Sequence, residues 1–299
     1  MQLQLQRKSL RAVVDTMGGE LISLRDGAGT EYIWSGDPAY WSGRNPILFP
    51  IVGRLSGGTA QAGAGKCTLP QHGFARQSEF SVAETGEDFV VFSLRESADT
   101  LARYPYPFHL LVRHRLTEQG FFTAFEVQNT GTAPLPFCIG AHTAFRCPLH
   151  SGEAFEDYRL IFDQAETAPS LLLTSAGAFD HLHTLPMLAD SDTIPLDHRI
   201  FDARDTLAFE NLRSRGVRLV HKSAGHGVHV NFADFPMIAF WTMPHVSAPY
   251  LCLEPWHGCA AFDNDSGIFE EKPQCIVLPV GERKTLRYTV TLLSAPWEA

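Results

Sequence analysis

The chain has 299 residues, of which 44% are hydrophobic and 19% charged, with a formal net charge of −9. This balance is typical of a folded globular protein and excludes a disordered chain, and the negative charge argues against a DNA or RNA partner. No apolar run reaches the roughly 18 residues that a membrane helix needs, and the N-terminal residues lack the apolar core of a signal peptide. We therefore expect a cytoplasmic protein with no membrane or nucleic-acid partner.

Apolar and polar residues alternate along much of the chain, which is the pattern of half-buried β-strands. Residues 57–65 are glycine-rich and predict a surface loop. Residues 80–82 and 89–94 flank a glycine-containing loop and predict a hairpin, and residues 97–103 predict one short helical turn. Further predicted strands are 121–128, 217–220, 228–232 and 286–292. Many short strands without alternating helices predict an all-β antiparallel sandwich or barrel.

The chain shows neither a long linker nor an internal repeat, which predicts a single domain over residues 1–299. The six cysteines are scattered, and no pair has C-x-x-C spacing. They are interpreted as reduced, mostly buried small hydrophobic residues. The closely spaced histidines are interpreted as loop or strand residues rather than metal ligands, so no zinc site is expected. These histidines are His181, His183, His221, His226 and His229.

A single carboxylate stands in the apolar and aromatic segment 250–258. If this segment is extended, Tyr250 and Glu254 share one face, together with Cys252. Burying an unpaired acid costs free energy, and carboxylates in apolar surroundings are enriched in catalytic roles. Glu254 is therefore a candidate acid/base residue. Trp256 offers a flat apolar face of the kind on which sugars stack.

Two lone histidines and an arginine are further candidates. His72 and His142 are each interpreted either as core residues with satisfied hydrogen bonds or as site residues. Small neighbours that would let a ligand approach the backbone favour the site for His142. Arg54 ends an apolar run in which Pro46 and Pro50 exclude a helix and disfavour a central strand. Its guanidinium either reaches solvent only or binds a polyhydroxyl or anionic ligand.

Four ordered motifs resemble those of the aldose 1-epimerase (galactose mutarotase) superfamily, most closely its LacX-like branch. They are Leu-Phe-Pro-x-x-Gly-Arg at 48–54, His-Gly-Phe-Ala-Arg at 72–76, Gly-x-His-x-Ala-Phe at 140–145 and Glu-Pro-Trp at 254–256. The resemblance runs from about residue 10 to residue 293. It implies one large antiparallel β-sandwich with a sugar site in a cleft across one sheet.

The resemblance also implies roles for the candidate residues. Glu254 corresponds to the general base of the family and His142 to its general acid. The implied substrate-binding residues are His72, Arg54, Asp205, Trp256 and Arg76. The family's sugar-binding aspartate is matched to Asp205, but local chemistry alone does not distinguish Asp205 from Asp202 in this role. The partner implied is a small-molecule sugar, and no metal or organic cofactor is implied.

Such an enzyme interconverts the α and β anomers of a hexose by opening and reclosing the sugar ring. Glu254 as a carboxylate would remove the proton of the anomeric hydroxyl while protonated His142 donates to the ring oxygen, with the roles reversed on closure. Attraction between a carboxylate and an imidazolium favours the charged forms of both against desolvation. We therefore expect ionised Glu254 and protonated His142 near neutral pH, and a bell-shaped rate profile.

Two alternatives stay open. Arg44, Arg54 and Arg76 are candidates for a cluster that binds a phosphorylated or otherwise anionic sugar. The second alternative is a carbohydrate-binding or sensor protein that keeps the cleft but catalyses no reaction. The presence of both Glu254 and His142 argues against it, because binding alone needs no acid/base pair. A glycoside hydrolase would want a second carboxylate facing the first, and only one stands out. The identity of the sugar and the oligomeric state are outside what the sequence predicts.

Overall fold

The computed structural model describes residues 1–63 and 65–294, in which strands dominate and helices are short. The α-helices are α1 (Ala98–Arg103) and α2 (His198–Arg204). Short 3-10 helices cover Ser56–Gly58, Ala75–Gln77, Phe155–Asp157 and Phe269–Glu271. The strands in chain order are β1 (Gln2–Arg7), β2 (Leu10–Asp15), β3 (Glu20–Arg25), β4 (Ile47–Leu48), β5 (Thr59–Ala62), β6 (Gly65–Thr68), β7 (Ser81–Thr85), β8 (Phe89–Arg95), β9 (Phe108–Leu116), β10 (Gly120–Asn129), β11 (Leu135–Phe137), β12 (Ile139–Ala141), β13 (Thr143–Arg146), β14 (Tyr158–Leu173), β15 (Phe179–Pro195), β16 (Thr206–Glu210), β17 (Gly216–His221), β18 (Gly227–Asn231), β19 (Met237–Trp241), β20 (Tyr250–His257), β21 (Ile276–Leu278) and β22 (Arg283–Leu293).

Most of these strands join one large antiparallel sheet. Its order is β4-β12-β20-β19-β16-β14-β17-β18-β22-β10-β9-β8-β7, with β13 paired to β20 and β15 paired to β14. Strands β1, β2 and β3 form a second sheet, and two further pairs are β11 with β21 and β5 with β6. The expected all-β fold, a large antiparallel β-sandwich, is confirmed. Among the helices formed by the described residues, none has the length and apolarity of a membrane span.

The strands form where the sequence alternates. Along β10 every second side chain is buried, and the intervening ones are only half-buried. Phe125 of this strand lies opposite Leu286 of β22 and Val112 of β9, and all three belong to the main core. The predicted strands 121–128 and 286–292 are thus confirmed within β10 and β22. Buried cross-strand pairs of this kind stabilise a sheet.

Local predictions had mixed outcomes. Strands β7 and β8 pair as the predicted hairpin. The predicted helical turn is α1, whose first turn is capped by the hydroxyl of Ser97 accepting the N–H of Thr100 at 3.2 Å. The surface loop predicted at 57–65 is wrong, because most of it lies in the hairpin β5–β6. Ala60 and Cys67 face each other there and are both buried, so small apolar residues hold the hairpin on the core.

Strand β20 lies between β19 on one side and β12 and β13 on the other. Leu251 and Leu253 enter the main core, whereas Tyr250 and Cys252 point to a separate aromatic cluster. Donor atoms of Glu254 and Cys252 lie within 4.8 Å of each other, so Glu254 shares the Tyr250 face as the sequence predicted. The aromatic residues of this cluster are Trp34, Tyr40, Trp41, Trp241 and Tyr250.

Candidate functional site

A cleft of about 830 Å³ opens over this face of β20. The seven candidate residues come from segments that are far apart along the chain, and the fold brings all of them to this cleft. They are Glu254, His142, His72, Arg54, Asp205, Trp256 and Arg76.

The pairing of strands places His142 beside Glu254. Strand β12 pairs with β20 through Gly140 and Trp256, and β13 resumes the pairing at Thr143 in the same register. His142, between the two short strands, therefore lies across from Glu254. The two side chains meet, with His142 Nε2 at 3.4 Å from Glu254 Oε2.

Glu254 is only 1% exposed, and burial raises the pKa of its carboxyl well above the usual value. Trp256 Nε1 donates a hydrogen bond to Glu254 Oε2 at 3.2 Å, which acts in the opposite direction by favouring the carboxylate. The negative charge of Asp205 raises this pKa further. Trp256 is itself 5% exposed, so its polar edge holds the carboxylate and little of its ring face is open to a sugar.

His142 is 8% exposed, and burial lowers the pKa of its imidazole to about 3, with the positive charge of Arg76 acting in the same direction. Its ring packs on Trp41 at 4.8 Å between centroids and meets the rings of His72 and Trp241 edge-on at 5.6 Å. Its Nδ1 is buried and has no hydrogen-bond partner among the described residues.

These pKa directions differ from the charged pair that the sequence analysis expected. Burial penalises charge on both side chains, so it favours a protonated Glu254 and a neutral His142. The neutral pair and the ion pair nevertheless hold the same single proton. Because one proton transfer across the 3.4 Å contact converts one into the other, the two residues titrate as a unit.

His72 has a fixed tautomer. The N–H of Gly53 donates to His72 Nδ1 at 3.1 Å, so the neutral ring carries its proton on Nε2. The amide nitrogen of Gln71, which is also a donor, lies 3.3 Å from that nitrogen. The amide oxygen of Gln71 is held by Arg54 Nη2 at 3.0 Å and does not turn to His72. His72 therefore presents an N–H donor at the cleft, and burial lowers its pKa well below the usual value.

Gly53 must be glycine for this arrangement. Its φ is +69°, and a Cβ at this position would lie 2.5 Å from Cα of Ala260. The backbone of a residue with a side chain would have to move away, and the hydrogen bond to His72 would move with it. The glycine before Arg54 in the sequence motif thus positions both the arginine and the histidine.

Arginines line one side of the cleft. Arg54 and Arg76 both bind Gln71, the first through its amide oxygen and the second through its main-chain oxygen at 2.9 Å. Arg76 Nε is buried, and no described residue supplies it with a hydrogen-bond acceptor; burial also lowers the pKa of this guanidinium. Arg204 also lines the cleft. Arg44 does not, because its Nε donates to a main-chain carbonyl at 2.7 Å in another groove, so the prediction that it joins this cluster is wrong.

Asp205 ends α2, a helix that the sequence analysis did not predict. Its backbone has φ 62° and ψ −77°, a conformation that is rare for residues other than glycine and is concentrated at functional sites. Its Oδ1 accepts the hydroxyl of Thr206 at 2.8 Å. Asp202 also lines the cleft, but its carboxylate accepts the main-chain N–H of His245. Both aspartates thus line the cleft and differ in their hydrogen-bond partners, and the choice of Asp205 as the sugar-binding residue stays a prediction.

Sequence reasoning missed two tryptophans and one glutamine of the cleft. Trp41 and Trp241 are half-buried and present apolar ring surface beside His142. Gln71 links Arg54 to the His72 segment. The only signal in the sequence is aromatic residues next to each tryptophan, and that pattern is equally typical of a core.

In the part of the chain that the structure describes, two groups of residues have donor atoms close enough to hold a metal ion. One group is His142, Cys252 and Glu254, and the other is Asp180, His181 and Asp263. Burial, followed by the charge of Glu254, raises the pKa of the Cys252 thiol well above its usual value. This opposes the thiolate form that metals bind. His181 lies in β15 and the other closely spaced histidines in or beside strands, as the sequence analysis interpreted them.

Comparisons with known proteins agree over almost the whole chain. The family model for aldose 1-epimerase matches residues 1–291. The plasmid form of protein LacX from Lactococcus lactis subsp. lactis is 36% identical over 302 residues, which is 98% of this chain and 100% of LacX.

Two solved structures are also similar. A galactose mutarotase related enzyme from Lactobacillus acidophilus has a TM-score of 0.93 at 28% identity, covering 99% of this chain and 98% of that one. A galactose mutarotase-like protein from Lactobacillus casei has a TM-score of 0.90 at 26% identity, covering 98% and 100%. The similarity extends over every strand that contributes to the cleft.

Proposed function

The chain belongs to the aldose 1-epimerase family and is an epimerase-like isomerase, and on this premise we propose that it interconverts the α and β anomers of a hexose through Glu254 and His142. The observation that carries this proposal is the 3.4 Å contact between His142 Nε2 and Glu254 Oε2 in the cleft. Burial excludes water from the pair, and together they hold one exchangeable proton.

The reaction needs one acid and one base at neighbouring oxygens of the sugar. Glu254 as a carboxylate accepts the proton of the anomeric hydroxyl, while His142 Nε2–H donates to the ring oxygen and the ring opens. Rotation of the aldehyde and the reverse transfers close the ring as the other anomer. No proton is gained or lost overall, which suits a pair that keeps a single proton in a buried site.

The remaining residues bind the sugar or position the pair. His72 Nε2–H and the guanidinium of Arg54 donate to sugar oxygens, and the Asp205 carboxylate accepts from hydroxyls. Trp256 holds Glu254 through its indole N–H. Trp41 supplies ring surface for an apolar face of the sugar.

The test is the rate of anomer interconversion of pure α-glucose and α-galactose, followed by polarimetry. We expect Glu254→Gln to lose about 10²- to 10⁴-fold of the enzyme-catalysed rate, the usual contribution of a positioned proton-transfer group. Glu166→Gln is the matched control, because Glu166 is also buried but accepts main-chain N–H groups of Arg213 and Ser214 outside the cleft. A wild-type protein that binds sugar without accelerating interconversion would instead be a sensor.

A second candidate substrate is a phosphorylated or otherwise anionic sugar. It is favoured by Arg54, Arg76 and Arg204 in the cleft, and by the buried Nε of Arg76, which has no acceptor within residues 1–63 and 65–294. A tenfold or greater preference for glucose 6-phosphate over glucose, lost in Arg76→Met, would establish this substrate class. Equal rates on both sugars would leave the neutral hexose. The cytoplasmic location, the single-domain organisation and the lack of a nucleic-acid partner stay predictions.

A further inference from the structure

A second group of reactive side chains lies outside the acid/base pair. It is built around Cys138, which directly precedes β12, and Cys275, which directly precedes β21. Neither residue has a role in the proposed reaction. Cys138 is buried, whereas Cys275 is partly exposed.

The strand pairing places these two cysteines opposite each other. Strands β11 and β21 pair through Phe137 and Ile276, and the next residues outward are Cys138 and Cys275. The N–H of Cys138 donates to Pro50 at 2.8 Å and that of Cys275 to Lys272 at 3.0 Å, so the two residues exchange no main-chain hydrogen bond. Opposed residues of this kind have Cα atoms about 4.5 Å apart, within the span of a disulfide.

The side chains agree with this placement. The neighbouring thiol is the largest influence on each pKa: Cys275 lowers the pKa of Cys138, and Cys138 raises that of Cys275. The Cys275 thiol itself donates to the main-chain oxygens of Phe137 at 3.7 Å and Ile276 at 3.6 Å. Lys272 lies beside both sulfurs, and its charge favours their thiolate forms. Its Nζ is buried without a hydrogen-bond partner among the described residues, and the nearest carboxylate oxygen is that of Asp265 at 3.8 Å. The negative charge of Glu270 has the opposite effect to Lys272 and raises the pKa of Cys275.

The cysteine pair lies next to two segments that position residues of the cleft. The N–H of Val52 donates to the sulfur of Cys138, and Val52 precedes the glycine that fixes His72. The carbonyl of Gln274, beside Cys275, accepts from His257 Nδ1 at 2.7 Å at the end of β20. A covalent bond here would tie together two segments that flank the acid/base strands.

We propose that Cys138 and Cys275 are a dithiol site that hydrogen peroxide converts to an intramolecular disulfide. Two S–H bonds and the O–O bond of peroxide break, and one S–S bond forms. The thiols lose two electrons and two protons, and peroxide takes them to become two water molecules. A dithiol reductant restores the thiols, so the modification is reversible.

The experiment counts thiols in the whole reduced protein before and after peroxide treatment, by alkylation under denaturing conditions and intact mass. We expect alkylated cysteines to fall from six to four, a Cys138–Cys275 linked peptide after digestion, and recovery with dithiothreitol. Mapping the wild-type protein needs no variant and is independent of sugar turnover.

Two variants sharpen the result. Cys275→Ser should keep all its remaining thiols after the same treatment. Cys147→Ser, which removes a buried thiol outside the group, should still lose two. Six alkylated thiols in treated wild type, or a linked peptide that joins Cys138 to Cys259 instead, would overturn the proposal.

Discussion

Replacing Trp256 with phenylalanine removes the indole N–H that donates to Glu254 Oε2 at 3.2 Å. The carboxylate is 1% exposed, so water does not replace the lost donor. A hydrogen bond to a charged group contributes about 1.5–3 kcal/mol, and the ionised form of Glu254 loses about that much. At about 1.4 kcal/mol per factor of ten, we expect kcat/KM to fall about 10- to 150-fold.

The assay is polarimetry across the pH range, with Trp241→Phe as the matched control. Trp241 undergoes the same loss of ring size and lies beside His142, but makes no hydrogen bond to Glu254 in the described residues. Because removing the donor disfavours the carboxylate, the alkaline limb of the Trp256→Phe profile should also move to higher pH. Wild-type rates in Trp256→Phe, or an equal loss in Trp241→Phe, would refute the reasoning.

Three further expectations concern the pair, the cleft and the turn beside it. Since burial lowers the pKa of His142 to about 3, the pair gains no second proton on this imidazole near the ordinary histidine value, and kcat/KM should show no acid limb between about pH 7 and about pH 5. An acid limb centred near the ordinary histidine value of about 6.5 would contradict this. Trp41→Leu should raise KM about 2- to 10-fold through loss of ring contact of about 0.5–1.5 kcal/mol, measured by initial rates, and an unchanged KM would exclude stacking on this ring. Gly53→Ala should lower the free energy of unfolding by about 1–3 kcal/mol in urea titrations, since its Cβ meets Ala260. Gly57→Ala, with a similar φ of 59° but open space around it, should cost less, and equal losses would argue against the Ala260 clash.

The predicted strands and the faces of β20 followed from local periodicity. Alternation at 121–128 and 286–292 was enough to identify β10 and β22, because a strand buries every second residue whatever its partner. The same reasoning separated Glu254 from Leu251 and Leu253. The loop predicted from the glycine-rich composition of residues 57–65 was wrong. Most of this segment belongs to a hairpin in which the small residues Ala60 and Cys67 pair and are buried.

The sequence by itself determined the fold class, the family motifs and the candidates for the cleft, because each of these is written in short stretches of chain. Only the tertiary structure decided that His142 lies across from Glu254, that the indole of Trp256 holds the carboxylate and that Asp205 rather than Asp202 acts on it. It also decided the pKa directions of the pair, which reverse the expected charges. The physical reason is that strand register and desolvation depend on which distant segments pack together, and no local pattern specifies that packing.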